Sequence, residues 1–114
     1  MRLKSAIWVS ALIRRANGAG AFAAVRRRGA EEAGAVFVKA TRLDGTATLY
    51  GPAMPSLEGD YEPGERLFAA IVPEGSTELD CEERMRREIR FDPDLWFVEI
   101  EDREGRHFLD TVSQ

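Results

Sequence analysis

Glu99 and Glu101 stand two residues apart in the stretch Leu95-Trp96-Phe97-Val98-Glu99-Ile100-Glu101, so in a strand both carboxylates leave the same face. A strand rise of about 3.3 Å per residue sets them roughly 7 Å apart, a spacing that suits one hard divalent cation or a shared proton. Asp92, Asp94 and Asp102 extend the acidic set on either side. Carboxylates on adjacent strands are a common way to hold Mg2+ for phosphodiester cleavage, and Lys39 on another strand would be the basic companion. The candidate ligands for Mg2+ or another divalent cation are therefore Glu99, Glu101, Asp92 and Asp94. The plain alternative is a strand end that emerges into water with its charges solvated.

Arg26-Arg27-Arg28, with Arg14 and Arg15, is the second constellation. Strand alternation sends Arg27 away from Arg26 and Arg28, which leaves Arg14, Arg15, Arg26 and Arg28 as candidates for contacting nucleic-acid phosphates. No RNA-binding aromatic motif or zinc-finger spacing accompanies them. The remaining catalytic inventory is thin. His107 is the sole histidine, which excludes a multi-histidine metal centre, and no Gly-x-Ser-x-Gly turn offers it a nucleophile. Cys81 falls on a helical apolar stripe and reads as a small core residue. The glycines form neither a dinucleotide fingerprint nor a phosphate loop.

The elements that carry these residues follow from periodicity and punctuation. Ser5 is placed to cap a helix running to about Ala16, stopped by Asn17-Gly18 and Gly20. Phe22–Arg28 and Ala35–Leu43 read as strands, the second with Val36, Val38 and Ala40 on one face and Phe37, Lys39 and Thr41 on the other. Asp44-Gly45 predicts a tight hairpin back into Thr46–Tyr50. A loop rich in proline and acid spans residues 51–64. The unbroken apolar run Leu67–Val72 predicts a central strand covered on both faces. Thr77-Glu78-Leu79-Asp80 fits a capping box, opening a helix whose acids precede its arginines. Its Asp80–Arg84, Glu82–Arg86 and Glu83–Arg87 spacings suit ion pairs, and Leu79, Cys81, Met85 and Ile89 make a thin apolar stripe. Asp92-Pro93 must end that helix near Phe91, because the ring keeps Asp92 out of the helical region. Leu95–Ile100 is an apolar strand that buries Trp96, and Arg106–Val112 reads as a short last one.

Together these elements predict an α+β domain: a mainly antiparallel sheet of five to six strands with two helices on opposite faces, in three layers. The whole of residues 1–114 reads as one domain, with 44% hydrophobic and 32% charged residues. The net charge of -4 hides an asymmetry, since residues 1–45 balance at +6 and residues 46–114 at -10. Either the halves pack with opposite charges facing, or the molecule offers an oriented electrostatic surface. A single cysteine cannot form an internal disulfide, and the apolar start lacks the frame of a secretory signal. Both point to a soluble cytoplasmic protein without a membrane span.

Several stretches resemble domain of unknown function 1491, a family of small alphaproteobacterial proteins. They are Lys4-Ser5-Ala6-Ile7-Trp8-Val9, Arg14-Arg15, Ala33-Gly34-Ala35, Arg42-Leu43-Asp44-Gly45, Leu49-Tyr50-Gly51-Pro52, Val98-Glu99-Ile100-Glu101-Asp102 and, most specifically, Arg90-Phe91-Asp92-Pro93-Asp94-Leu95-Trp96. The likeness spans nearly all of residues 2–109, with Met54–Glu65 departing from it. It implies a bacterial single-domain protein and carries over no catalytic or binding residues.

The functional expectation is a non-catalytic, cytoplasmic protein-interaction module, either self-associating or bound to another protein. A small metal-dependent phosphodiesterase or nuclease is the rival from a different class. A nucleic-acid-binding module using the basic N-terminal half is the third reading.

Overall fold

The computed structural model describes residues 3–54 and 66–113, so most of the expected 51–64 loop lies outside the described residues. The elements run α1 (Ser5–Gly18), β1 (Phe22–Arg27), β2 (Val36–Thr41), β3 (Thr46–Pro52), β4 (Phe68–Thr77), α2 (Glu78–Phe91) and β5 (Trp96–Glu101). Among the described residues they build one five-stranded sheet in the order β1-β5-β2-β3-β4. Hairpins make β2–β3 and β3–β4 antiparallel, and β1–β5 is antiparallel too. β2 and β5 run parallel, because α2 carries the chain back across the sheet and lays β5 beside β2 in the same direction. The sheet is therefore mixed.

Two expectations about strands change. The apolar run Leu67–Val72 becomes the start of β4, which is an outer strand and not a central one. The C-terminal segment covers part of its free edge: Phe68 N–H donates to Asp110 O, and Val112 N–H donates to Phe68 O. Residues 106–112 therefore supply a single parallel bridge, Phe68 to Thr111, in place of a last strand. The central places belong to β2, buried at all six positions, and to β5.

α2 ends at Phe91, as Asp92-Pro93 requires, whereas α1 runs through Asn17 and Gly18, past the expected stop near Ala16. At α2, Thr77 Oγ1 accepts from Asp80 N–H while Asp80 Oδ2 accepts from Thr77 N–H, the reciprocal capping box. At α1 the expected cap does not form. Ser5 is buried and its hydroxyl donates to Gly34 O at 2.6 Å, while Ser5 and Ala6 N–H donate to Glu32 O and Glu31 O. The 29–34 turn thus satisfies the open helix end with carbonyls. That turn needs glycine: a Cβ on Gly34 would come within 2.5 Å of Asp94 O, and one on Gly29 would also strike that carbonyl.

Alternate residues of β2 and β5 feed two separate clusters. Val36, Val38, Trp96, Val98 and Ile100 pack with Val9, Leu12 and Ala16 of α1. Phe37 and Phe97 pack with Leu49, Val72 and with Cys81 and Met85 of α2. Leu79, expected on the apolar stripe, is instead exposed. α1 lies against β1, and α2 against β3 and β4.

Candidate functional site

Lys39 is the centre of the charged residues. Its parallel register partner is Glu99, and Lys39 Nζ lies 3.0 Å from Glu78 Oε1, 3.0 Å from Glu82 Oε2 and 3.5 Å from Glu99 Oε1. Arg26 joins from β1, 2.7 Å from Glu82 and 2.5 Å from Glu99, with its guanidinium over the Phe97 ring. The Lys39 side chain is only 4% exposed. Burial alone would discharge it, but bonds to Glu82 and Glu78 and the charges of Glu99 and Glu82 outweigh desolvation and push its pKa up. Burial also acts on Glu82, and the two cations overcome it, holding that carboxyl below its usual range.

This arrangement has a chemical consequence. A lysine whose proton is held more tightly than usual is neither a general base nor a Schiff-base nucleophile. The Cys81 thiol beneath it is pushed up to about 11 by burial, so it is a protonated core residue rather than a reactive thiolate. Of the α2 acids read from sequence as i, i+4 partners, Glu82 turns inward to serve Arg26 and Lys39, and Arg84 pairs with Glu88 in place of Asp80. The basic and acidic halves of the chain meet here.

The four candidate metal ligands do not share one place. Glu99 faces Lys39 and Arg26, and Glu101 lies beside it, its carboxyl pushed up by burial and by a hydrogen bond with Glu99. Asp92 and Asp94 sit before β5, where Asp92 Oδ1 accepts from Asp94 N–H and Asp94 O accepts from Ala30 N–H. β5 starts two residues after Asp94, and its three steps from Trp96 to Glu99 alone span roughly 10 Å. Among the described residues no group of three or more His, Cys, Asp or Glu is disposed to hold a metal ion. Asp102 closes the turn after β5, accepting from Glu104 N–H, Arg106 N–H and the Arg106 guanidinium, which holds its carboxyl down at about 2.

The arginines are dispersed as well. A bulge between Val25 and Arg27 breaks the alternation of β1. Arg26 therefore rests on Phe97 and Arg28 on Trp96, neighbours that belong to different clusters, whereas regular alternation would place both arginines on one face. Arg15 donates to Phe108 O at 2.8 Å, and Arg14 is exposed on α1.

Two of the concave places among the described residues bear on function. The first is a groove of about 300 Å3 between α2 and β1, lined by Met85, Ile89 and Phe97 with Arg26, Arg27, Glu82 and Arg86. The second is a cleft of about 240 Å3 lined by Arg42, Thr48, Tyr50, Glu74, Gly105 and His107 among others. Neither was signalled by a motif. Their residues are scattered over distant elements.

Comparison with known proteins adds the lineage. The family described as protein of unknown function (DUF1491) matches residues 3–110. The chain belongs to this family. A crystal structure of a DUF1491 family protein from Caulobacter crescentus is 49% identical, covers 98% of this chain and 99% of its own, and superposes with a TM-score of 0.82. A solution structure of a protein from A. tumefaciens is 47% identical over 100% of this chain and 98% of its own, with a TM-score of 0.84. No curated protein matches the chain. The DUF1491 relatives thus share the fold over essentially its full length, and no helix of the described residues is long and apolar enough to cross a membrane.

Proposed function

We propose that this DUF1491 domain is a non-catalytic, cytoplasmic protein-interaction module that docks an acidic, apolar-bearing segment of a partner protein between α2 and β1. The observation that carries this reading is the composition of the groove there. Its floor is apolar, from Met85, Ile89 and Phe97, and its rim is cationic, from Arg27 and Arg86. Arg26 and Glu82 also line it and are matched to each other, and Arg27 Nη2 donates to Pro93 O at 2.9 Å, so Arg86 is the uncommitted charge that a partner meets. Phe91, at the end of α2, is a further aromatic left 89% exposed. A large aromatic left in water is the kind of residue that anchors an interface. The non-catalytic part of the reading is supported by the tightly held proton of Lys39 and the raised thiol of Cys81. The same reading takes the domain as three layers, supported by the way Val36 and Val38 join the α1 cluster while Phe37 joins that of α2.

Self-association is the second reading, favoured by β1. It is an outer strand with Phe22 62% and Val25 42% exposed, so its free edge could pair with a second copy. The divalent-metal and nucleic-acid readings gain no comparable support, because Lys39 and Arg26 already neutralise Glu99 and the arginines are dispersed. A photo-crosslinking amino acid at Ile89, introduced in a DUF1491-bearing bacterium, tests the docking reading. A discrete adduct with another protein from Ile89, and none from exposed Thr111, is expected. Equal labelling from both positions would overturn it, and an adduct of the chain with itself selects the dimer.

A further inference from the structure

The cleft of about 240 Å3 lies away from the docking groove, between the β2–β3 turn, β4 and the C-terminal segment, and its residues are set with unusual care. Arg42 Nη2 is 3.3 Å from Glu74 Oε1, and the Arg42 guanidinium lies flat on Gly105, where any Cβ would meet it at 2.6 Å. The His107 ring packs 4.8 Å from that of Tyr50. Leu109 N–H donates to His107 Nδ1 at 3.0 Å, and burial lowers the pKa of this ring, so the neutral form carries its proton on Nε2. That Nε2–H meets no partner among the described residues.

Backbone strain gathers at the same place. Among the described residues the non-glycines in the left-handed region are Leu43 at φ 69° and Phe108 at φ 61°. Each directly follows a cleft residue, Arg42 or His107. Gly75 at φ 88° and Gly105 at φ 77° line the cleft themselves. An L-residue holds this conformation only where its surroundings over-determine it, and such residues cluster at binding sites. Here Arg15 grips Phe108 O and Leu109 is buried, which fixes His107 in its direction.

The cleft thus presents one cation, one carboxylate, a free imidazole N–H and a phenol. A simple anion placed on Arg42 would sit against Glu74, and a simple cation on Glu74 would sit against Arg42. We propose that the cleft binds a small zwitterion of the α-amino-acid class, its carboxylate on Arg42 and His107 Nε2–H and its ammonium on Glu74. The side chain of the ligand then lies toward Tyr50.

The test is amide-shift titration of the 15N-labelled chain with each standard amino acid, using acetate and methylamine as single-charge probes. At least one amino acid should give saturable shifts at Arg42, Gly75, Gly105 and His107 with a Kd of about 1 mM or tighter, and the probes should bind at least about tenfold more weakly. Arg42→Gln and Glu74→Gln replace exposed side chains, and each should weaken binding by roughly ten- to a hundredfold, the worth of one charged hydrogen bond. Absence of saturable shifts with every amino acid overturns the proposal. So does acetate binding as tightly as the best amino acid, or unchanged affinity in Glu74→Gln.

Discussion

Replacing Lys39 with methionine keeps the length of the stem and removes only the charge. Taking one partner from a fully buried ion pair costs about 3–5 kcal/mol, because the other charge is left stranded. In this domain the stranded carboxylates are partly relieved. Glu82 and Glu99 keep Arg26, at 2.7 and 2.5 Å, and Glu78 is 44% exposed and can turn to water. The expected cost is therefore lower, about 2–3 kcal/mol, or a fall in Tm of roughly 10 °C for a domain of this length. The sign with pH follows from Glu82. Its depressed carboxyl contributes stability that is present above its ordinary value of 4.5 and lost as pH falls through the folded value. Lys39→Met removes part of that contribution, so the wild-type and variant stabilities should converge as pH falls below 4.5. Urea unfolding followed by circular dichroism between pH 7 and pH 3 reads both quantities. A variant within about 0.5 kcal/mol of wild type at pH 7, the range of ordinary surface substitutions, would refute the electrostatic role of Lys39. A deficit of the same size at both ends of the range would refute it too, and would assign the loss to packing.

Trp96 is 2% exposed and its Nε1–H donates to Ala30 O at 2.8 Å, so Trp96→Ala should cost roughly 3–5 kcal/mol. A calorimetric Tm near that of the wild type would make the ring a surface feature instead. His107 has a folded pKa below its ordinary 6.5, so its contribution is present above pH 6.5 and is lost as pH falls through the folded value. His107→Gln should flatten that limb of the stability curve, and an unchanged pH profile would contradict the burial argument. Mg2+, Mn2+ and Ca2+ should leave the Tm unchanged, because Lys39 and Arg26 already hold Glu99 and Glu82. A rise of several degrees with any of them, as about 2.7 kcal/mol from binding at 100 times the Kd would produce, would revive the metal reading.

Local signals carried most of the elements. The capping box at Thr77, the stop at Asp92-Pro93 and the alternation of Val36, Val38 and Ala40 against Phe37, Lys39 and Thr41 all appear in the fold. Long-range pairing was not legible, since an apolar run has the same composition whether neighbouring strands or covering segments bury it. Phe68–Val72 is apolar at an edge because the C-terminal segment and α2 cover it, and Trp96–Ile100 is apolar because it lies between β1 and β2. The bulge in β1 is likewise silent in the sequence, yet it separates Arg26 from Arg28. Around Lys39 the sequence offered only Glu99 as a strand neighbour, and the convergence of Glu82 from α2 and Arg26 from β1 on that pair depends on the tertiary fold. Arg42, Tyr50, Glu74 and His107 converge only through the tertiary fold, and no spacing between them marks the cleft.

Photo-crosslinking from Ile89 in an Arg86→Glu background bears most directly on the docking role. Arg86 lines the groove, is exposed and forms no ion pair with a described residue, so the reversal should leave the stability within about 0.5 kcal/mol of wild type. Loss of the partner adduct at an unchanged Tm is the predicted result. An adduct that persists through the charge reversal would contradict an acidic partner segment in the groove between α2 and β1.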